Sequence, residues 1–178
     1  VITVAGLAHE VGEILILNTA GRPANGTELE RALREHSTGS IDLAVTADEC
    51  ELLTALKTFA DSHLDDDRHY LTAYHGETWN GGFDLPFVRT ACVKHNIEWP
   101  FPNLAYADML DVVDRFDTND QNDLVGVYNE LIGQDTCDPF DDSGEAVPAF
   151  AGGWDADLVT HNVVDVLRTG ALGQVTRR

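Results

Sequence analysis

Lysine is scarce: Lys57 and Lys94 are the only two in 178 residues, and all basic side chains number 11 against 31 acidic ones. In dilute buffer a net charge of −20 would repel nucleic acid. Cysteine is scarce too. Cys50, Cys92 and Cys137 are odd in number and far apart, which argues against a disulfide framework and against a cysteine zinc site. A reducing cytoplasm is the expected setting. No apolar run approaches the ~20 residues of a membrane span. The opening stretch, VITVAGLAHE, has no basic segment and does not read as a secretory signal. The seven histidines are scattered, and no pair has zinc spacing beyond what chance gives.

The acidic excess has two readings, disorder and a salt-adapted surface. Regular apolar periodicity excludes the first. The second fits a halophile: at molar salt the Debye length is ~3 Å, so the charge is largely screened while carboxylates keep the surface hydrated. The acidity therefore describes the solvent more than the partner.

The chain punctuates itself clearly. Residues 1–10 and 12–18 predict a β-hairpin. Residues 25–36 predict a short helix capped by Thr27, and 40–45 a strand. Residues 46–64 carry Leu52, Leu53, Leu56 and Phe59 at helical spacing, with Thr46 as the expected cap. A strand is expected in 68–76 and a helix in 84–96, with Asp84 at its start and Pro86 in its first turn. Residues 103–113 read as a strand turning into a helix. Residues 122–133 read as a helix stopped by Gly133, and 135–153 as a polar, turn-rich insert. A long helix covers 154–172, placing Leu158, His161, Val164 and Asp165 on neighbouring turns. Hairpin first, then alternating strands and helices, predicts one α/β domain over 1–178, a mixed sheet flanked by helices. No repeat or long linker divides it.

One stretch, WNGGFDLPFVRTAC at 79–92, poses a chemical question. A carboxylate at Asp84, between Phe83 and Leu85, must be hydrated, capped or bound to a cation. A second candidate lies in the last helix, where His161 and Asp165 are four apart and share a face. Taken singly, these residues also suit a helix cap and a solvated His–Asp pair.

The segment 73–92 resembles the second motif of the DEDD 3′–5′ exonucleases, in particular the exonuclease domains related to family B DNA polymerases. Asn80, Phe83, Asp84 and Pro86 fall in that motif's pattern. The segment 161–172 resembles the third motif, with Asp165, Val166 and Thr169 matching and His161 standing where Tyr is usual. The resemblance implies a ribonuclease H-like fold, hydrolysis of phosphodiester bonds and two divalent ions about 4 Å apart held by carboxylates. It implies Mg²⁺ or Mn²⁺ on Asp84 and Asp165, and His161 acting on the attacking water. It implies a single-stranded DNA 3′ end as substrate, with RNA as an option. Asn80, Trp79 and Phe83 are then the candidate nucleic-acid-binding residues, the two aromatics either stacking a terminal base or packing beside the motif.

The third motif departs from the family where His precedes the Asp by three intervening residues instead of four. The first motif, Asp-x-Glu on the first, central strand, occurs nowhere in these residues. The expectation is that this strand lies upstream of Val1, or that the chain is a degenerate relative serving as a nucleic-acid-binding or structural module. Asp42 and Glu13 have no spacing that makes them substitutes. Residues 117–128 only outline a calcium loop, since Asn122 and Tyr128 stand where Gly and Glu are required. Residues 64–69 are a charge run at a helix end.

Overall fold

Alternating apolar residues at the start fold as a hairpin. Strands β1 (Val4–His9) and β2 (Gly12–Asn18) pair antiparallel, with Val4 opposite Leu17 and His9 opposite Gly12. The structure is a computed structural model, and it describes residues 1–10, 12–36, 39–77, 82, 84–133 and 138–176. These form two compact units, Val1–Leu56 with Thr136–Val166 and Lys57–Asp135 with Leu167–Arg178.

In the first unit β2 is the middle strand, and Leu15, Ile16 and Leu17 are at most 1% exposed. Such a continuous apolar run suits a strand covered on both faces. Strand β3 (Ser40–Thr46) pairs with β2 in parallel, Gly12 opposite Ser40 through Asn18 opposite Thr46. A parallel pair needs a crossover, and helix α1 (Gly26–Arg34) lies within it, burying Leu29 and Leu33. Its cap is Asn25, whose side chain accepts from the Glu28 amide, in place of the expected Thr27.

Helix α2 (Glu49–His63) follows. Thr46 does not cap it. Thr46 ends β3, and its hydroxyl donates to the Leu17 carbonyl at 2.8 Å. Asp48 takes the capping role: it accepts from the Glu51 amide, while the Glu51 carboxylate accepts from the Ala47 amide.

The second unit has a second sheet, β4 (Tyr70–Ala73) parallel to β5 (Ala105–Asp108), with α3 (Asp84–His95) between them in sequence. Helices α4 (Met109–Val113) and α5 (Leu124–Leu131) complete it. Met109, Val113, Val127 and Leu172 form one buried cluster there. The insert expected to be polar and turn-rich carries a 3-10 turn at Ser143–Glu145 and also helix α6 (Ala146–Gly152). The final helix is α7 (Asp155–Val175), and α2 and α7 each contribute residues to both units.

The protein is thus mixed α/β. It has a three-stranded mixed sheet and a two-stranded parallel one, where a single mixed sheet was expected. Among the described residues no helix is long and apolar enough to cross a membrane.

Cys50 and Cys92 are both free thiols, the first exposed and the second 2% exposed. Burial pushes the Cys92 thiol up, and thiolates are the reactive form. Iodoacetamide at pH 8 should therefore label Cys50 at least ~10-fold faster than Cys92. Equal rates in peptide mass spectra would contradict the packing of α3.

Candidate functional site

Helix α7 begins with Asp155 and Asp157 in its first turn, where the helix dipole favours carboxylates. Its inner side is apolar: Leu158, Val159, Val163 and Val164 are at most 5% exposed. The chain can approach β1 closely because Gly6 has no Cβ. A methyl group there would strike the Asn162 side chain and touch Val166. His161 and Asp165 occupy the margin of that buried side, partly covered.

The structure brings His161 and Asp165 together and adds a third group. His161 Nδ1 lies 2.9 Å from Asp138 Oδ1, and Nε2 lies 3.6 Å from Asp165 Oδ2. One ligand-type atom from each of the three side chains falls within 4.8 Å of the others. Asp138 is itself held, because the same Oδ1 accepts from the Phe140 amide at 3.1 Å. This is the local turn that an Asp-Pro pair favours. Phe140 is 8% exposed and packs with Ala149 and Leu158. Its ring centroid is 5.1 Å from that of His161. Packing and one hydrogen bond therefore fix the imidazole.

The two contacts differ in kind. At 2.9 Å the Asp138 contact is a hydrogen bond, and a carboxylate can only accept, so Nδ1–H donates. At 3.6 Å the Asp165 contact is too long for one. An ion ligated by all three side chains, with bonds of about 2.0–2.2 Å, would have to displace the Asp138–His161 hydrogen bond. The donor set therefore fits an oxygen-seeking ion on the Asp165 carboxylate better than a three-ligand centre.

Asp84 belongs to the other unit, and its presentation is built with equal care. Asp108 is 2% exposed and accepts from the amides of His75 (2.8 Å), Gly76 (3.0 Å) and Leu110 (3.1 Å), and from the Tyr106 hydroxyl (2.8 Å). It thereby caps α4 and fixes the chain leaving β4. The Gly76 carbonyl then accepts from the Leu85 amide and the Glu77 carbonyl from the Gly82 amide, both at 3.0 Å, closing the base of a loop. Any Cβ on Gly82 would collide with the His75 carbonyl. Glu77, 5% exposed, is paired with Arg89 at 2.6 Å, and Arg89 lies over the Trp99 ring at 4.7 Å.

Asp84 emerges from this loop as the first residue of α3, exposed to water. Hydration and the positive end of the helix answer the desolvation question raised by its apolar neighbours. Burial, then the Asp108 hydrogen bond, holds the Tyr106 hydroxyl well above the usual phenol range. Burial, then the carboxylates of Asp123, Asp108 and Asp114, does the same for Tyr74. Both hydroxyls are hydrogen-bond donors at any physiological pH.

Asn80, Trp79 and Phe83 lie outside the described residues. Sequence reasoning missed Asp138. Its only local signal was Asp-Pro ahead of an apolar Phe, which says turn and nothing about a histidine 23 residues later. Searches for similar proteins returned no match among family models and none among curated proteins.

Proposed function

We propose that this is a metal-dependent 3′–5′ exonuclease-like domain of ribonuclease H-like fold, acting on single-stranded DNA ends, with RNA as a second substrate. The observation that carries the proposal is His161, fixed by Asp138 and turned toward Asp165 on one face of α7. The motif patterns at 80–86 and 161–169 support the same reading.

In this reading Asp84 and Asp165 would each offer a carboxylate to Mg²⁺ or Mn²⁺, which would supply charge stabilisation to the phosphate and acidify water. His161 Nε2 takes a proton from the attacking water as its oxygen bonds to phosphorus. The bond from phosphorus to the 3′ oxygen breaks. That oxygen is protonated from solvent, releasing a 5′-mononucleotide. Trp79 and Phe83 stack the terminal base, and Asn80 contacts the strand. Free thiols at Cys50 and Cys92 support a reducing, cytoplasmic setting.

The absence of Asp-x-Glu favours a second reading, a non-catalytic nucleic-acid-binding or structural module. The test is degradation of 5′-labelled single-stranded DNA and RNA by the full-length gene product in molar KCl with Mn²⁺. A ladder shortening from the 3′ end, abolished by EDTA, is the expected result. No metal-dependent cleavage of either strand would leave the second reading as the better account.

A further inference from the structure

Resting on the reading above, we infer that Asp138 is a positioning residue that sets the tautomer of His161, keeping the proton on Nδ1 and the lone pair of Nε2 on the Asp165 side. Three observations converge on it. The Nδ1 to Oδ1 distance is 2.9 Å, and both side chains are largely covered, at 16% exposure for His161 and 13% for Asp138. A bond so sheltered competes little with water. Asp138 is not adjusting to the histidine, because its Oδ1 is already fixed by the Phe140 amide at 3.1 Å. The ring cannot turn away, because Phe140 packs against it at 5.1 Å between centroids.

The consequence is directional. A neutral imidazole has one donor and one acceptor nitrogen, and the hydrogen bond made by one decides the role of the other. With Nδ1–H committed to Asp138, Nε2 is the only basic nitrogen. It faces Asp165 Oδ2 across 3.6 Å, a gap wide enough that no direct hydrogen bond fills it. A water or substrate proton arriving beside Asp165 therefore meets a lone pair. The opposite tautomer would set a carboxylate against a bare Nδ1 at 2.9 Å, an electrostatic clash. The logic is that of an orienting carboxylate behind a catalytic imidazole. Here it is supplied by the segment before α6, outside both motifs that gave the functional reading.

The experiment is ¹⁵N–¹H NMR of the imidazole nitrogens in the full-length protein in molar KCl, without divalent ion, at a pH where the His161 ring is neutral. The His161 proton should reside on Nδ1. In Asp138→Ala the acceptor for Nδ1–H is gone, so the proton should move to Nε2, which faces the Asp165 carboxylate. A wild-type ring protonated on Nε2 overturns the inference without any variant. An unchanged tautomer in a folded Asp138→Ala overturns it as well. In the cleavage assay, Asp138→Ala should lower kcat about tenfold or more with KM little changed, and by no more than His161→Phe does. A variant cleaving at the wild-type rate contradicts the positioning role. A wild type with the expected tautomer and no cleavage counts against the exonuclease reading and leaves the tautomer assignment standing.

Discussion

The thermal midpoint rises by about 10–20 °C between dilute buffer and molar KCl, because salt screens the repulsion among the protein's carboxylates. The formal charge is −20, with 11 cations to set against 31 anions. Among the described residues, the exposed helix pairs offset little of it. Arg31–Glu35 and Arg34–Glu30 are single-turn helix pairs with side chains more than half exposed, a class worth under about 0.5 kcal/mol each. For a chain of this length 1 kcal/mol moves the midpoint by roughly 2–4 °C. Relief of about 5 kcal/mol of repulsion accounts for the shift. Circular dichroism melts in 0.05 M and 2 M KCl measure it directly, and equal midpoints would remove the salt-adapted reading of the surface.

Asp108→Leu destabilises the second unit by about 4 kcal/mol or more, the largest effect expected of any single substitution there. Three amides and one hydroxyl would lose an acceptor that is itself only 2% exposed. Each buried donor left unpaired costs about 1–3 kcal/mol, though such costs do not simply add. Asp108→Asn keeps the shape and one acceptor oxygen, so it costs about 1–2 kcal/mol. Exposed Asp66→Asn stays within about 0.5 kcal/mol and serves as the control. Urea denaturation in molar KCl separates the three. A Leu variant as stable as the Asn variant would mean that Asp108 does not hold the loop leading to Asp84.

What the sequence made legible follows from how local the signal was. The β1–β2 hairpin and the long α7 were readable because strand-forming and helical patterns persist over many residues there. The caps were misread because several capping residues stood side by side. Thr27 follows Asn25 by two positions, and the Asp48–Glu51 box lay next to a Thr46 that belongs to the strand. Helix α6 was hidden by its seven-residue length and by Pro148, which the first turn of a helix tolerates. For the candidate site, the spacing of His161 and Asp165 on one helix face was visible. The role of Asp138 was not, since it depends on a turn folding back onto α7. Likewise nothing in the spacing of Asp108 announced that it clamps the chain near His75 and Gly76.

The measurement that tests the account most directly is single-turnover cleavage of single-stranded DNA by four full-length proteins in molar KCl with Mn²⁺: wild type, Asp84→Asn, Asp165→Asn and His161→Phe. The account predicts that either Asp change lowers the rate by about 10³-fold or more in a protein that still melts normally. His161→Phe lowers it less, by about 10²-fold. Wild-type rates in Asp84→Asn or Asp165→Asn, or no cleavage by the wild type itself, would contradict it.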